Sequence, residues 1–106
     1  MTYDWPAITT DEELGALRQN AEVWAAGIAA ICQRHGLLGE PRLFDVGSFV
    51  LYGVGDRVIK LFGPWEIAHF HTERRVLGLL TGRLTTPSPE LVVADIADGW
   101  GYVVMT

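Results

Sequence analysis

Lys60 is the residue whose charge fits least well with its surroundings in this sequence. It is the only lysine among 106 residues and lies inside the apolar run Val58-Ile59-Lys60-Leu61-Phe62. In a strand, Lys60 would share one face with Val58 and Phe62, because alternate side chains point to the same side. A lysine in such a place must extend to solvent, lose its proton or meet a fixed anion.

Glu73 offers that anion. Successive residues of a helix lie about 100° apart, and on this spacing the apolar stripe of the segment comprises Phe70, Val76, Leu77 and Leu80. Glu73 falls in the middle of the stripe. Removing one partner from a buried pair costs about 3–5 kcal/mol, so we expect Lys60 and Glu73 to form an ion pair. The alternative is that helix and strand do not pack together and both side chains reach solvent.

The turn that opens the hairpin ending in the Lys60 strand adds a second element that could meet an anion. Gly47 and Ser48 can offer backbone amides and a hydroxyl to phosphate oxygens. A lysine fixed by a glutamate is suited to the same task, as a point charge against nucleotide phosphates. The turn lacks the G-x-G-x-x-G spacing of a phosphate-binding loop, so taken alone it fits an ordinary hairpin turn as well as a phosphate site.

The composition describes one small acidic domain. Hydrophobic residues make up 49% and charged residues 20%, which suffices for one core. The net charge of −5 argues against a nucleic-acid partner. Cys32 is the only cysteine, so an internal disulfide is excluded, and we expect it to be a small buried hydrophobe. With no basic leader and no run of roughly 20 apolar residues, we expect a soluble cytoplasmic chain without a membrane partner.

Helical patterns fill the first third of the chain, and short β-rich runs dominate the rest. Thr10 with Glu13 predicts a capped helix start, Asn20 a second start, and Gly36 a left-handed helix end. Strands are predicted over Leu43–Val46, Phe49–Val54, Arg57–Phe62, Leu91–Ile96 and Trp100–Met105. A helix over about 64–81, opened by Pro64, separates the third strand from the fourth. This order predicts an α+β fold: a five-stranded antiparallel sheet with one packed helix, preceded by a helical extension over residues 1–40.

Segments of the sequence follow one another in an order that resembles a known family. They are Gly47-Ser48-Phe49-Val50-Leu51-Tyr52, Val58-Ile59-Lys60-Leu61-Phe62, Thr72-Glu73-Arg74, Pro89-Glu90-Leu91-Val92 and Asp98-Gly99-Trp100-Gly101-Tyr102-Val103-Val104-Met105-Thr106. Together they resemble the amino-terminal lobe of aminoglycoside phosphotransferases, which share the protein-kinase-like fold with choline and macrolide kinases. The resemblance implies that residues 41–106 form a nucleotide-binding lobe ending at the hinge, without the carboxy-terminal lobe.

On the phosphate side of this lobe, the resemblance assigns roles to four residues. Gly47 and Ser48 would sit in the loop over the nucleotide phosphates. Lys60 would contact the α- and β-phosphates, and Glu73 would be its partner on the helix. The separation between Lys60 and Glu73 is slightly short for the family, so the connection into the helix should be tight.

On the adenine side, the resemblance assigns roles to three more residues. Val58 would line the adenine slot, and Met105 resembles the residue that guards its back. Thr106 resembles the first hinge residue, whose carbonyl can accept a hydrogen bond from the adenine amine. The glycine signature of protein kinases is absent, which favours the small-molecule branch of the fold.

Phosphoryl transfer needs an aspartate to orient the acceptor and ligands for magnesium. In the family these lie in the carboxy-terminal lobe, and no His-x-Asp loop with a downstream asparagine exists here. Phe44-Asp45-Val46-Gly47 is only superficially similar to the metal-binding tripeptide, because it precedes the lysine. We therefore expect these residues to bind ATP or GTP with magnesium weakly or not at all, and not to catalyse transfer alone.

Two other functions remain open from the sequence. If residues 69–73 were a strand, His69, His71 and Glu73 would align as zinc ligands can, but Pro64 favours a helix, so no metal site is expected. The second is a non-catalytic protein-interaction module derived from a kinase lobe. The partners implied by these readings are a nucleotide, a carboxy-terminal kinase lobe, or a second copy bound through the exposed lobe face.

Overall fold

The computed structural model describes residues 4–45, 49–82 and 89–106. Its helices are α1 (Asp11–Leu17), α2 (Ala21–His35) and α3 (Ile67–Leu80), with a 3-10 turn (Pro64–Glu66) leading into α3. Its strands are β1 (Arg42–Leu43), β2 (Val50–Val54), β3 (Arg57–Phe62), β4 (Leu91–Ala97) and β5 (Trp100–Met105).

The strands form one antiparallel sheet in the order β1-β2-β3-β5-β4, which confirms the predicted α+β class and five-stranded sheet. Tight turns close the two hairpins: Gly55 has a φ of 61° between β2 and β3, and Asp98 and Gly99 have φ values of 50° and 85° between β4 and β5. Of the first strand, predicted over Leu43–Val46, Leu43 lies in β1, which begins at Arg42. The Phe44 amide still donates to the Leu51 carbonyl of β2, and Val46 lies outside the described residues.

One face of the sheet, which we call the outer face, is covered by α1 and α2. Its buried core unites strand residues Val50, Tyr52, Val54, Ile59, Leu61, Trp100, Tyr102 and Val104 with helix residues Leu14, Trp24, Ile28 and Ile31. Cys32 is half-buried against this core, and burial raises the pKa of its thiol. The N-terminal helices therefore share one core with the sheet.

The ends of these helices lie where the three sequence signals predicted them, although one lacks a side-chain cap. Thr10 Oγ1 accepts from the Glu13 amide, and the Glu13 carboxylate accepts from the Thr9 amide. The Thr9 amide and then the Thr10 hydroxyl, both donating to the carboxylate, lower the pKa of Glu13. Gly36 adopts φ 65° and its amide donates to the carbonyl of Cys32. Asn20 occupies the N-cap of α2, but its side chain makes no capping hydrogen bond.

The opposite face, the inner face, is covered in part by α3. Phe70 is 1% exposed and packs with Phe62 and Val103. It approaches so closely because Gly101 has no side chain: a Cβ there would lie 2.6 Å from the Phe70 ring. The predicted burial of the whole stripe was wrong for Val76 and Leu80, which are 46% and 42% exposed.

No helix in the described ranges is both long and apolar enough to cross a membrane.

Replacing Gly101 with alanine should destabilise the protein by about 1–3 kcal/mol, because the new methyl group overlaps the Phe70 ring and forces α3 away from the sheet. Gly15→Ala is the matched control. It lies inside α1 with nothing within 4 Å of the place its new methyl group would take, and it should stabilise by about 0.5–1 kcal/mol. Urea unfolding measures both, and equal effects of the two variants would contradict this packing.

His35 should make stability fall as the pH drops below neutrality. Its Nε2 lies 2.7 Å from the Tyr102 hydroxyl, and burial, followed by the charge of Arg34, lowers its pKa from 6.5 against the opposing effect of Asp95. The unfolded chain therefore takes up a proton at a pH where the folded chain does not. The stabilisation is complete above pH 6.5 and is lost as the pH falls through the lowered pKa.

The measurement is the free energy of unfolding against pH for the wild type and for His35→Gln, which keeps a hydrogen-bonding side chain but does not titrate. The slopes of the two curves of unfolding free energy against pH should differ only below about pH 6.5. A wild-type slope in His35→Gln would contradict the assignment.

Candidate functional site

The side chains of Lys60 and Glu73 meet on the inner face of the sheet. Lys60 Nζ lies 2.9 Å from Glu73 Oε1 and 2.9 Å from Oε2, so the ammonium donates to both carboxylate oxygens. The two side chains are 17% and 23% exposed. The predicted ion pair is therefore confirmed, and solvent still reaches it.

Neighbouring elements fix both ends of this pair. Lys60 lies in the middle of β3, where its Cα partners are Leu51 on β2 and Val103 on β5. Glu73 lies one turn after Phe70, the buried side chain that anchors α3. Only Gly63 and the 3-10 turn separate β3 from α3, which matches the predicted tight connection.

Two aromatic rings flank the ammonium group. Lys60 Nζ lies 4.2 Å from the centroid of the Phe49 ring and 5.3 Å from that of Phe62. Such distances give an attractive interaction between a cation and a ring face. The sequence alone gave Phe49 no such role, although continuing the antiparallel register from Val50–Leu61 places Phe49 opposite Phe62. The hairpin register was thus the signal that could have identified it.

Two further titratable residues of this region precede Glu73. His69 Nε2 lies 3.9 Å from Glu73 Oε2, a contact that the i, i+4 spacing on a helix could have predicted. Glu66 is half-buried, and burial, followed by the charge of Asp11, raises the pKa of its carboxyl against the opposing charges of His69 and Lys60. The site therefore places an ammonium, a carboxylate and an imidazole side by side at the start of α3.

The structure also brings together two residues predicted for the adenine side. Val58 and Met105 are Cα partners on β3 and β5, on the same face of the sheet as Lys60. Thr106 follows β5, and its amide and hydroxyl are hydrogen-bonded to the backbone of Glu90. Gly47 and Ser48, predicted for the phosphate loop, lie outside the described residues.

The arrangement does not support the zinc alternative. His69 and His71 lie on α3, where residues two apart point about 200° away from each other. Among the described residues, no group of three or more histidine, cysteine, aspartate or glutamate side chains could hold a metal ion. The strand that would have aligned these ligands is a helix.

Comparison of the chain with protein-family models, curated proteins and solved structures finds no match.

Breaking the ion pair from one side should destabilise the protein more than removing it from both. Lys60→Met leaves the Glu73 carboxylate without its donor in a mostly covered position, which should cost about 1–3 kcal/mol. Adding Glu73→Leu should recover most of this loss, because no charge is then left unpaired. Urea unfolding of the wild type, both single variants and the double variant measures the coupling.

Arg57→Met provides the control, since Arg57 pairs with Asp56 at 3.0 Å in a far more exposed place. Its loss should cost less than about 1 kcal/mol. If Lys60→Met lowered the free energy of unfolding no more than Arg57→Met, the Lys60–Glu73 pair would not stabilise the packing of α3 on β3.

Proposed function

We propose that the chain is the nucleotide-binding lobe of an ATP-dependent small-molecule phosphotransferase similar to aminoglycoside phosphotransferases. The observation that carries this proposal is the Lys60–Glu73 ion pair on the inner face of the sheet. The resemblance in sequence supplies the family, and the geometry below supports the binding of a nucleotide.

The first support is the state of the Lys60 ammonium. An ammonium group has three N–H donors, and two of them are directed at the oxygens of Glu73, each 2.9 Å away. The third is free to meet a further acceptor, and the 17% exposure of the side chain leaves a path for one. A phosphate oxygen is the acceptor for which a fixed lysine is best suited.

The second support is the apolar surface beside the lysine. Val58 precedes Lys60 by two residues, so their side chains emerge about 7 Å apart on one face. Met105, the partner of Val58 on β5, widens this surface. A flat base could lie against Val58 and Met105 while its phosphates reach Lys60, with the ribose spanning the interval.

The proposal assigns catalysis to a companion carboxy-terminal lobe. That lobe would supply the aspartate that orients the acceptor hydroxyl, the magnesium ligands and the acceptor site. The role of the present chain is to hold the nucleotide, with ATP or GTP as the donor.

An acyl-phosphate derivative of ATP tests the proposal directly. Such a reagent transfers its acyl group to an amine held near the phosphates, and Lys60 is the only lysine, so the labelled site is unambiguous by peptide mass spectrometry. We expect acylation of Lys60, and we expect it to fall at least about tenfold in excess ATP or GTP.

The α-amino group of the chain is the internal control, because its labelling should not respond to added nucleotide. A simple acyl phosphate without the nucleoside provides the second control and should label Lys60 far less. Labelling of Lys60 that neither ATP nor GTP reduces would contradict the proposal.

One observation favours the second candidate function, a non-catalytic interaction module derived from such a lobe. Val76, Leu79 and Leu80 near the end of α3 are 46%, 56% and 42% exposed, which is unusual for neighbouring large apolar side chains. This module would bind a partner protein without a nucleotide. Lack of nucleotide-protected labelling at Lys60 would favour it.

A further inference from the structure

A groove between α3 and β4 carries positive charge next to an apolar floor. We call it the α3–β4 groove; it has a volume of about 540 Å³ and its lining includes His71, Arg74, Arg75, Leu79, Leu91 and Ala94. It does not include Lys60 or Glu73. His71 and Arg75 each lie two residues from Glu73, which places them about 200° from it around the helix. The groove thus lies on the other flank of α3 from Lys60 and Glu73, and its residue Leu91 is the Cα partner of Met105.

The arginines of the groove have no acidic partner in the described part of the chain. Arg74 and Arg75 are exposed, and neither forms an ion pair there. The carboxylates nearest in sequence on α3 and β4 are engaged elsewhere: Glu73 binds Lys60, and Asp95 binds Arg34 at 2.7 Å. In a chain of net charge −5, these arginines form a local positive patch that selects for an anionic partner.

The apolar side of the groove indicates a ligand larger than a small anion. Leu79 is 56% exposed, and Leu91 and Ala94 of β4 are half-buried beneath it. On β4 itself, Val92 and Ile96 are 46% and 41% exposed. A free phosphate would use the arginines and leave this apolar surface in water, whereas a peptide can cover both.

The strand beside the groove is an edge strand. β4 is the last strand in the sheet order and pairs on one side with β5. An unpaired strand edge can accept an extended peptide through main-chain hydrogen bonds, with side chains providing specificity. An extended segment therefore fits this place.

From these observations we propose that the α3–β4 groove binds a short acidic peptide segment of a partner protein. Its carboxylates contact Arg74 and Arg75, and an apolar side chain packs on Leu79, Leu91 and Ala94. The site does not use Lys60 or Glu73 and requires no second copy of the chain.

Fluorescence anisotropy with a set of fluorescein-labelled hexapeptides tests this assignment. Each peptide contains four glutamates or aspartates and two apolar residues, varied among leucine, isoleucine, valine, phenylalanine and tryptophan; matched peptides carry glutamine and asparagine instead. We expect saturable binding of some acidic members and at least about tenfold weaker binding of their neutral counterparts. Absence of binding across the whole set would overturn the proposal, as would equal binding of the neutral peptides.

Charge reversal then locates the site. Arg74→Glu with Arg75→Glu should weaken binding at least about tenfold. Arg42→Glu with Arg57→Glu makes the same change in charge on β1 and β3, away from the groove, and should leave most of the affinity. These side chains lie at the surface, and circular dichroism of both double variants checks that they fold. If both double variants lost affinity equally, binding would depend on the net charge of the protein and not on the groove, and the assignment would be refuted.

Two further measurements distinguish other occupants. NMR titration with inorganic phosphate should leave the amides of Gly78, Leu91 and Ala94 unchanged; if phosphate moved them as the peptides do, the groove would be a site for small anions. Sedimentation velocity should show no dimer of the wild type that dissociates in the Arg74→Glu, Arg75→Glu double variant. Such a dimer would make a second copy the occupant and overturn the proposal.

Discussion

The contact between the Lys60 ammonium and the Glu73 carboxylate is the constraint on which the inner face depends. It joins the middle of the sheet to the helix that follows it, and both charges lie where solvent reaches them only in part. Without its partner, each would favour an arrangement with α3 lifted from the sheet, because a half-covered charge without a counter-ion is costly. Phe70 holds the helix by packing, and the ion pair fixes which of its residues faces β3.

The sheet separates two kinds of surface. Its outer face is sealed by α1 and α2, with large apolar side chains and few polar ones, and it serves stability. Its inner face is only partly covered, and there the Lys60–Glu73 ion pair lies beside the rings of Phe49 and Phe62. Helix α3 divides this second surface into the region of Lys60 on one flank and the α3–β4 groove on the other. One helix thus presents an anion to the sheet and cations to solvent.

Much of this arrangement was predictable because its signals are local. The isolated lysine in an apolar run and the glutamate in an apolar stripe each implied a partner, and turn residues located the hairpins. The exposure of Val76 and Leu80 was not predictable, since periodicity identifies an apolar stripe but not the extent of the surface available to cover it. The hydrogen bond from the Trp65 indole to Asp11, 2.7 Å long, was also not predictable, because the two residues are far apart in the chain and no sequence spacing relates them. The proposed family rests on the resemblance of residues, because a fold can be shared by proteins of different function.

Three of the four tryptophans of the chain lie around the ring of the fourth. Trp5, Trp24 and Trp65 have their ring centroids 5.8, 5.4 and 5.7 Å from that of Trp100, in the core of the outer face. Two of these rings, Trp5 and Trp24, belong to the N-terminal segment and its helices, so indole emission from this protein reports the packing of that segment on the sheet. The close rings also favour exciton coupling in the ultraviolet, and detachment of the segment would weaken this signal to that of the Trp65–Trp100 pair even if the hairpins stayed intact.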